Sequence, residues 1–258
     1  MLLGTIMKNR IIIGLGLLLA FVILACLDIS WINFILFALL LCACVSESLK
    51  FYSIENRALV LLSLVFFTFL PFMNAFYVIF LMLAIIAGAL ALIQYKEPKS
   101  ILPFLYPVAP IFLMFGLLKD QSMSALVWLV LCIVASDSAA FFGGRFAKAK
   151  NKAHALCPSS PNKSIEGALA GVMAGAIIGY LYAINFIEIN EQAISHFKAF
   201  GISILVAIFG IFGDLFESYL KRIAGIKDSG TLLASHGGLL DRVDGLLFGA
   251  VVLVVALG

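Results

Sequence analysis

Residues 218–244 carry seven charged side chains and one histidine between two strongly apolar stretches. Those that can do chemistry are Lys221, Arg222, Lys227, Asp228, His236, Asp241, Arg242 and Asp244. Lysine and arginine bind phosphate groups, and carboxylate oxygens are the ligands that Mg²⁺ prefers in proteins. The segment therefore has the composition of an enzyme site for a phosphate-bearing substrate and a metal ion.

The apolar stretch before this segment ends in polar residues with helical spacing. Asp214 and Ser218 are four positions apart, as are Glu217 and Lys221, so a helix places them on one broad face. A solvated helix end with a Glu–Lys pair would also explain Glu217 and Lys221. Asp214 is different because it lies among apolar neighbours, where an unpaired carboxylate costs on the order of a few kcal/mol. Asp214 is therefore a functional candidate.

Two further aspartates, Asp241 and Asp244, lie three positions apart at the predicted start of the last apolar helix. The favourable interaction of a carboxylate with a helix amino terminus explains one of them, but two less well. With Asp214, they are candidate ligands for one or two Mg²⁺ ions, completed by substrate phosphates and water. His236, just before a Gly-Gly pair, either contacts the substrate or caps the turn, and both interpretations stay open.

A third polar group is divided between two places in the chain. Asp137 lies near the end of one apolar run, and Asn162, Lys163 and Ser164 precede another. Asn162 or Ser164 is a candidate helix N-cap, and free amides beside Lys163 would form an anion site. For Asp137 the alternative is a structural carboxylate that is satisfied by hydrogen bonds.

The elements that must position these residues are membrane helices. Hydrophobic residues make up 64% of the 258 residues and charged residues 12%, which excludes an ordinary soluble domain. The apolar runs predict an all-α, polytopic membrane bundle with about nine transmembrane helices. They lie near residues 11–28, 31–46, 58–74, 76–95, 101–118, 125–142, 164–187, 199–220 and 240–257. The net charge of +3 is too small to suggest a nucleic-acid partner.

The basic residues predict how this bundle is oriented. With nine spans and a cytoplasmic amino terminus, every Lys and Arg except Lys119 and Lys198 falls on the cytoplasmic side. The segments 143–163 and 221–240 then face the cytoplasm, where nucleotides are found, and the carboxyl terminus lies outside. We expect a multi-pass protein of a bacterial-type plasma membrane.

We expect one membrane domain, residues 1–258, with two functional halves. Spans within 1–123 have few intramembrane polar groups, which favours a role in packing and homodimer contacts. Residues 124–258 hold the catalytic spans and loops. In this half, Gly167, Gly171, Gly175 and Gly179 recur every fourth residue, which is a stripe that lets another helix approach closely.

Residues 218–244 resemble the signature of the CTP:phosphatidate cytidylyltransferases, also called CDP-diacylglycerol synthases. The resemblance rests on Ser218, Lys221, Arg222, Lys227, Asp228, the run 235–238 and the run 241–244, all at the family spacing. The segments 213–218, 160–167 and 137–141 also match family patterns. The main signature is highly specific because so many positions are fixed, whereas the amino-terminal half is similar only in being hydrophobic.

The resemblance implies transfer of the cytidylyl group of CTP to phosphatidate, a membrane lipid, giving CDP-diacylglycerol and pyrophosphate for phospholipid biosynthesis. Mg²⁺ would be held by Asp214, Asp241 and Asp244, and Lys221, Arg222 and Lys227 would supply catalytic positive charge. Substrate contacts are expected from Asp137, Asn162, Lys163, Ser164, Ser218, Asp228, His236 and Arg242.

Two other functions are compatible with parts of the sequence. An enzyme that activates a different lipid phosphate with CTP would use the same chemistry. An ion or phosphate transporter would also carry buried carboxylates and basic residues. Transport predicts polar residues along a path through several spans, whereas here they collect at one membrane face, which disfavours it.

Overall fold

Helices dominate the computed structural model, which describes residues 19, 21–189, 192–232 and 237–258. The α-helices are α1 (Ser30–Phe51), α2 (Ala58–Phe67), α3 (Ala75–Leu92), α4 (Ala109–Asp120), α5 (Met123–Ala149), α6 (Ile165–Phe186), α7 (His196–Ile223) and α8 (Leu240–Leu257). Residues 21–27 are also helical. A 3-10 turn (Pro98–Ile101) and a π-helical turn (Phe104–Val108) lead into α4.

Within the described residues, six helical segments are long and apolar enough to cross a membrane. They are Ser30–Phe51, Ala75–Leu92, Pro98–Asp120, Met123–Ala149, Ile165–Phe186 and His196–Ile223. Helix α2 has only 10 residues, and α8 carries Asp241, Arg242 and Asp244 near its start. The predicted helical membrane bundle is confirmed at this level, and the count of about nine spans stays a prediction.

Two short hairpins depart from the all-α prediction. Strand β1 (Ala155–Cys157) pairs antiparallel with β2 (Ser160–Ser164), and β3 (Glu188–Ile189) pairs with β4 (Gln192–Ala193). Isolated two-stranded hairpins are marginal in water, and these are too short to show an alternating apolar pattern. The first hairpin matters for the site because β2 runs directly into α6 and carries Lys163.

The glycine stripe of α6 packs against α5, as the sequence predicted. A Cβ built on Gly167, Gly171 or Gly175 would lie 2.7–2.8 Å from backbone oxygens of α5. The two backbones therefore approach too closely for any larger residue at these positions. This contact fixes α5, which carries Asp137, beside α6.

A glycine also sets the distance between α7 and α8. A Cβ built on Gly213 would collide with the backbone oxygen of Asp244. Gly213 immediately precedes Asp214 in α7. The close approach of the two helices therefore places Asp214 and Asp244, two of the predicted metal ligands, at the same level of the bundle.

Aromatic side chains hold the amino-terminal helices together. The ring of Phe67 in α2 lies 4.9 Å from that of Phe34 in α1 and 5.1 Å from that of Phe115 in α4, measured between centroids. Aromatic pairs at such distances contribute packing energy beyond the area they bury. The predicted packing role of these spans is consistent with this core.

Candidate active site

The carboxyl-terminal end of α7 presents four polar side chains on one face. Ser218 Oγ donates to Asp214 Oδ1 at 3.4 Å, and Lys221 Nζ donates to Glu217 Oε1 at 3.1 Å. Both contacts join residues four positions apart, so the face predicted from their spacing is confirmed. The four side chains then separate into two neighbouring groups.

The first group is centred on an ion pair between Lys163 of β2 and Asp214 of α7. Asp137 of α5 and Asp244 of α8 are both close enough for their charges to interact with that of Asp214. We call Asp137, Lys163, Asp214, Ser218 and Asp244 the carboxylate–lysine cluster. Its members come from four different elements, so it forms only when the second half of the chain is fully packed.

Arg242 adjoins this cluster from the first turn of α8. Its side chain is exposed, and its charge interacts with that of Asp137. The cluster thus combines three carboxylates with cations, which suits a substrate that carries phosphate groups together with a metal ion.

The second group is a buried ion triad in which Lys221 lies between two carboxylates. Lys221 Nζ contacts Glu217 of its own helix and Asp241 Oδ1 at the start of α8. The side chains of Lys221 and Asp241 are only 10% and 9% exposed, and that of Glu217 is fully buried. A lysine held in this way joins α7 to α8, and its ammonium group faces protein carboxylates.

Asp241 receives further hydrogen bonds from the loop that leads to it. Its Oδ2 atom accepts from Ser229 N at 2.9 Å, from Ser229 Oγ at 2.9 Å and from Gly238 N at 2.7 Å. Gly237, which precedes Gly238, has φ +83°, a backbone conformation that favours glycine. A Cβ at Gly237 would also contact Asp241 Oδ2. The predicted Gly-Gly turn is therefore built around the Asp241 carboxylate.

The turn after α7 directs the chain back towards this carboxylate. Gly225 has φ +70°, Gly225 N donates to Arg222 O, and Ile226 N donates to Lys221 O. These bonds form a Schellman motif, in which a left-handed glycine ends a helix and satisfies its last carbonyl groups. Gly225 was not among the residues predicted from the sequence to shape the site.

Two tyrosines from outside the signature, Tyr106, which is buried, and Tyr52, which is half-buried, form a chain of hydrogen bonds that leads to Glu217. Tyr106 Oη donates to Glu217 Oε2 at 3.0 Å, and Tyr52 Oη donates to Tyr106 O at 3.1 Å. Burial, together with the nearby Glu217 carboxylate, raises the pKa of Tyr52 well above its usual range. Tyr52 therefore stays protonated as a hydrogen-bond donor.

Glu47 of α1 is a second contribution from the amino-terminal half. It is 5% exposed, and its carboxylate accepts hydrogen bonds from Ser229 Oγ and from the backbone of Leu239 and Leu240. Sequence reasoning missed Glu47 and Tyr106 because both lie far from the signature. For Glu47, the sequence did offer a signal: an acidic residue at the end of an apolar run is costly to bury without partners.

Some predicted site residues lie away from the two groups. Arg222 is exposed in the last turn of α7, and its Nη1 donates to Ile226 O at 3.4 Å. Lys227 and Asp228 are exposed in the loop that follows. The Cβ of Asp228 nevertheless lies only 3.4 Å from a Cβ built on Gly237, which places Asp228 beside the glycine turn. His236 lies outside the described residues.

The start of α6 differs in part from the expected anion site. Ser164, not Asn162, is the N-cap, and its Oγ accepts from Gly167 N at 3.1 Å. Ile165 N donates to His154 O at 2.9 Å, so two amides expected to bind an anion are engaged within the protein. Asn162 is exposed, and its backbone oxygen accepts from Lys148 Nζ. Lys163 remains as the cationic member of this segment that reaches the cluster.

The predicted metal ligands differ in how well they suit Mg²⁺. Across the described ranges, no three His, Cys, Asp or Glu side chains are grouped so that they could hold one ion. Both oxygens of Asp241 already accept from protein donors. The side chain of Asp214 is more open, 35% exposed against 9% for Asp241, although its two oxygens also accept from Lys163 and Ser218. Mg²⁺ usually takes one or two carboxylates and completes its shell with phosphate oxygens and water.

A large groove adjoins the second group. It has a volume of about 1820 Å³ and is bounded mainly by apolar side chains of residues 21–61, together with Thr231, Leu232 and Leu239. Glu47 lines it too, and Lys50 and Arg57 are exposed members of its lining. The groove therefore joins an apolar surface to the loop that leads to Asp241.

Comparison with known proteins places this geometry in context. The sequence model described as "Cytidylyltransferase family" matches residues 8–258. The chain is 43% identical over 166 residues to the phosphatidate cytidylyltransferase of Helicobacter pylori (strain ATCC 700392 / 26695), covering 64% of this chain and 59% of the relative. It is 37% identical over 148 residues to that of Thermotoga maritima, covering 56% and 51%. The chain thus matches between half and three fifths of the length of these relatives.

Proposed function

The chain belongs to the cytidylyltransferase family, and on that basis we propose that it transfers the cytidylyl group of CTP to phosphatidate. The products are CDP-diacylglycerol and pyrophosphate. The observation that carries this proposal is the carboxylate–lysine cluster, which joins Asp214 and Lys163 to Asp137 and Asp244 where the family signature meets the membrane helices. The names of the relatives support phosphatidate as the lipid.

The chemistry of this transfer fits the residues present. A phosphate oxygen of phosphatidate attacks the α-phosphorus of CTP, the new P–O bond forms, and the bond to the β-phosphate breaks to release pyrophosphate. The attacking phosphate is already anionic near neutral pH, so it needs no strong general base. The requirement is in-line alignment of two anions and neutralisation of their charge.

Within this mechanism the cations have separate tasks. Lys163 lies in the cluster, and Arg242 adjoins it, where both can offset phosphate charge. Exposed Arg222 and Lys227 can meet the triphosphate or the leaving pyrophosphate. Lys221 is buried between Glu217 and Asp241, so we assign it to positioning Asp241, while Ser218 holds Asp214.

We propose Mg²⁺ as the cofactor, with Asp214 and Asp244 as its protein ligands and Asp241 close by. The metal would neutralise phosphate charge and orient the reacting oxygens. Asp137 adds negative charge to the same cluster, which favours a bound cation there.

The groove beside the site supports a lipid substrate. Its apolar lining suits acyl chains, and exposed Lys50 and Arg57 suit an anionic headgroup. It adjoins the glycine turn through Leu239 and Thr231. A lipid bound in the groove would keep its acyl chains in apolar surroundings and its phosphate near the loop between α7 and α8.

For the membrane arrangement we propose about nine spans in a bacterial-type plasma membrane. The amino terminus and the loops 143–163 and 221–240 face the cytoplasm, and the carboxyl terminus lies outside. The distribution of Lys and Arg supports this orientation. We also propose a homodimer, with contacts from the amino-terminal spans.

Product identification tests the proposed function. Purified protein in detergent or vesicles would be supplied with CTP, Mg²⁺ and phosphatidate, and the lipid fraction would be analysed by mass spectrometry. CDP-diacylglycerol is the expected product. A CTP-dependent product from another lipid phosphate, and none from phosphatidate, would overturn the assignment of the substrate.

A further inference from the structure

Glu47 accepts three hydrogen bonds, which connect α1 to the loop between α7 and α8, residues 224–239, and to the start of α8. Glu47 Oε2 accepts from Ser229 Oγ and from Leu240 N, both at 2.9 Å, and Oε1 accepts from Leu239 N at 3.1 Å. Ser229 lies within this loop, Leu239 is its last residue and Leu240 is the first residue of α8. The buried Glu47 carboxylate therefore binds three groups that lie about 190 residues after it in the sequence.

The carboxylate supplies a helix cap that the local sequence lacks. The N-cap position of α8 is Leu239, which has no polar side-chain atom that could accept from the first amides. Glu47 accepts from two of them and places negative charge at the amino terminus of the helix, where it is favourable. The start of α8 thus depends on a residue of α1.

The loop is shaped to fit around this side chain. A Cβ built on Gly230 would collide with Glu47 Oε1, and one built on Gly238 would collide with Glu47 Oε2. Ser229 Oγ also lies 2.9 Å from Asp241 Oδ2. Its one hydroxyl hydrogen can donate to either carboxylate, so Ser229 links Glu47 to Asp241.

We propose that Glu47 is a positioning residue of the active site: it fixes the first turn of α8 and thereby the placement of Asp241 and Asp244. This role rests on the proposed function, since it matters for catalysis only if these aspartates serve cytidylyl transfer. It also gives the amino-terminal half a part in the site beyond packing, because α1 carries Glu47.

The test compares E47Q with E55Q. Glutamine has the length of glutamate, but its amide has only one acceptor oxygen. In E47Q the two backbone amides, Leu239 N and Leu240 N, can therefore no longer each donate to a separate oxygen. Glu55 is an exposed residue in the lining of the same groove, so E55Q makes the same chemical change without touching the loop. Hydrogen–deuterium exchange of the purified proteins would report protection of residues 229–232 and 237–241.

We expect faster deuterium uptake in residues 229–232 and 237–241 for E47Q, and wild-type uptake for E55Q. In the transferase assay, the Mg²⁺ concentration that gives half the maximal rate should rise about tenfold for E47Q. Substituting residues that orient metal ligands typically weakens metal binding by this amount or more. Loss of folded protein would lower the maximal rate without moving that concentration.

Equal uptake in E47Q and E55Q would overturn the proposal, and so would an unchanged Mg²⁺ requirement in E47Q. The exchange measurement needs no activity, so it decides the contact even if the wild type fails to transfer cytidylate. Should E47Q not fold, S229A removes only one of the three bonds. S229A should also raise uptake in residues 229–232 and 237–241, and wild-type uptake in S229A would count against the proposal.

Discussion

Lys163 and Asp214 form an ion pair that joins β2 to the end of α7 across 51 positions of sequence. Both residues belong to segments that the sequence singled out separately, one before α6 and one in the last turns of α7. The pair shows that these two segments build one site. Substitutions in this pair therefore offer the clearest test of the site assignment.

Replacing Lys163 with glutamine removes the positive charge beside Asp214. We expect the rate of cytidylyl transfer at subsaturating CTP to fall about 100-fold, as when other preorganised electrostatic groups are removed. The change K152Q is a matched control, because Lys152 is exposed in the loop that precedes β1. Initial rates with labelled CTP would measure both, and a wild-type rate for K163Q would exclude Lys163 from the site.

Asparagine substitutions should separate the two aspartates that contact lysines. Both D214N and D241N should abolish turnover, but only D241N should also unfold more easily. The side chain of Asp214 is 35% exposed and that of Asp241 is 9% exposed and accepts from several donors. Removing one partner of a buried ion pair costs about 3 kcal/mol, or a fall of about 10 °C in melting temperature.

Thermal unfolding in detergent would measure this difference. Equal melting temperatures for D241N and D214N would contradict the placement of Asp241 within a buried network. Near-normal activity of D214N at limiting Mg²⁺ would contradict the proposed role of Asp214 as a metal ligand, and near-normal activity of D241N would contradict a role for Asp241 beside it.

The contact between α5 and α6 can be tested at one glycine. A Cβ on Gly175 would lie 2.8 Å from Cys132 O and 2.9 Å from Ala207 Cβ, so G175A should destabilise the protein by about 1–3 kcal/mol. A Cβ on Gly88 would have no other atom within 4 Å, so G88A should be neutral or slightly stabilising. Thermal unfolding would compare them, and equal stability of the two variants would argue against close packing of α5 and α6.

Cysteine labelling tests the proposed orientation. In a background without native cysteines, K150C and T231C should react only with reagent admitted to the cytoplasm, and E188C only with reagent outside. Two spans separate the first two positions in the nine-span arrangement, so they must lie on the same side. Labelling of K150C and T231C from opposite sides would exclude that arrangement.

The sequence was most informative where short-range spacing determines structure. The shared face of Asp214, Ser218, Glu217 and Lys221 follows from the helical repeat, and the glycine stripe of α6 follows from a repeat of four. Ser164 as a helix cap follows from the chemistry of its hydroxyl group. Each of these features depends on neighbours within a few turns of one helix.

Contacts between distant segments could not be predicted in this way. The sequence does not indicate that Lys221 is held between Glu217 and Asp241, or that Glu47 caps α8, because both depend on how helices pack in three dimensions. For the same reason, the sequence does not indicate that the oxygens of Asp241 accept from Lys221, Ser229 and Gly238.

The fate of the two ends of the CTP triphosphate tests the central claim most directly. The protein would be incubated with phosphatidate, Mg²⁺ and CTP labelled at either the α- or the γ-phosphate, and the lipid and water-soluble products separated. We expect the α-label in the lipid and the γ-label in pyrophosphate, with no reaction when diacylglycerol replaces phosphatidate. Transfer of the γ-label to diacylglycerol would reveal a lipid kinase and contradict the proposed cytidylyl transfer.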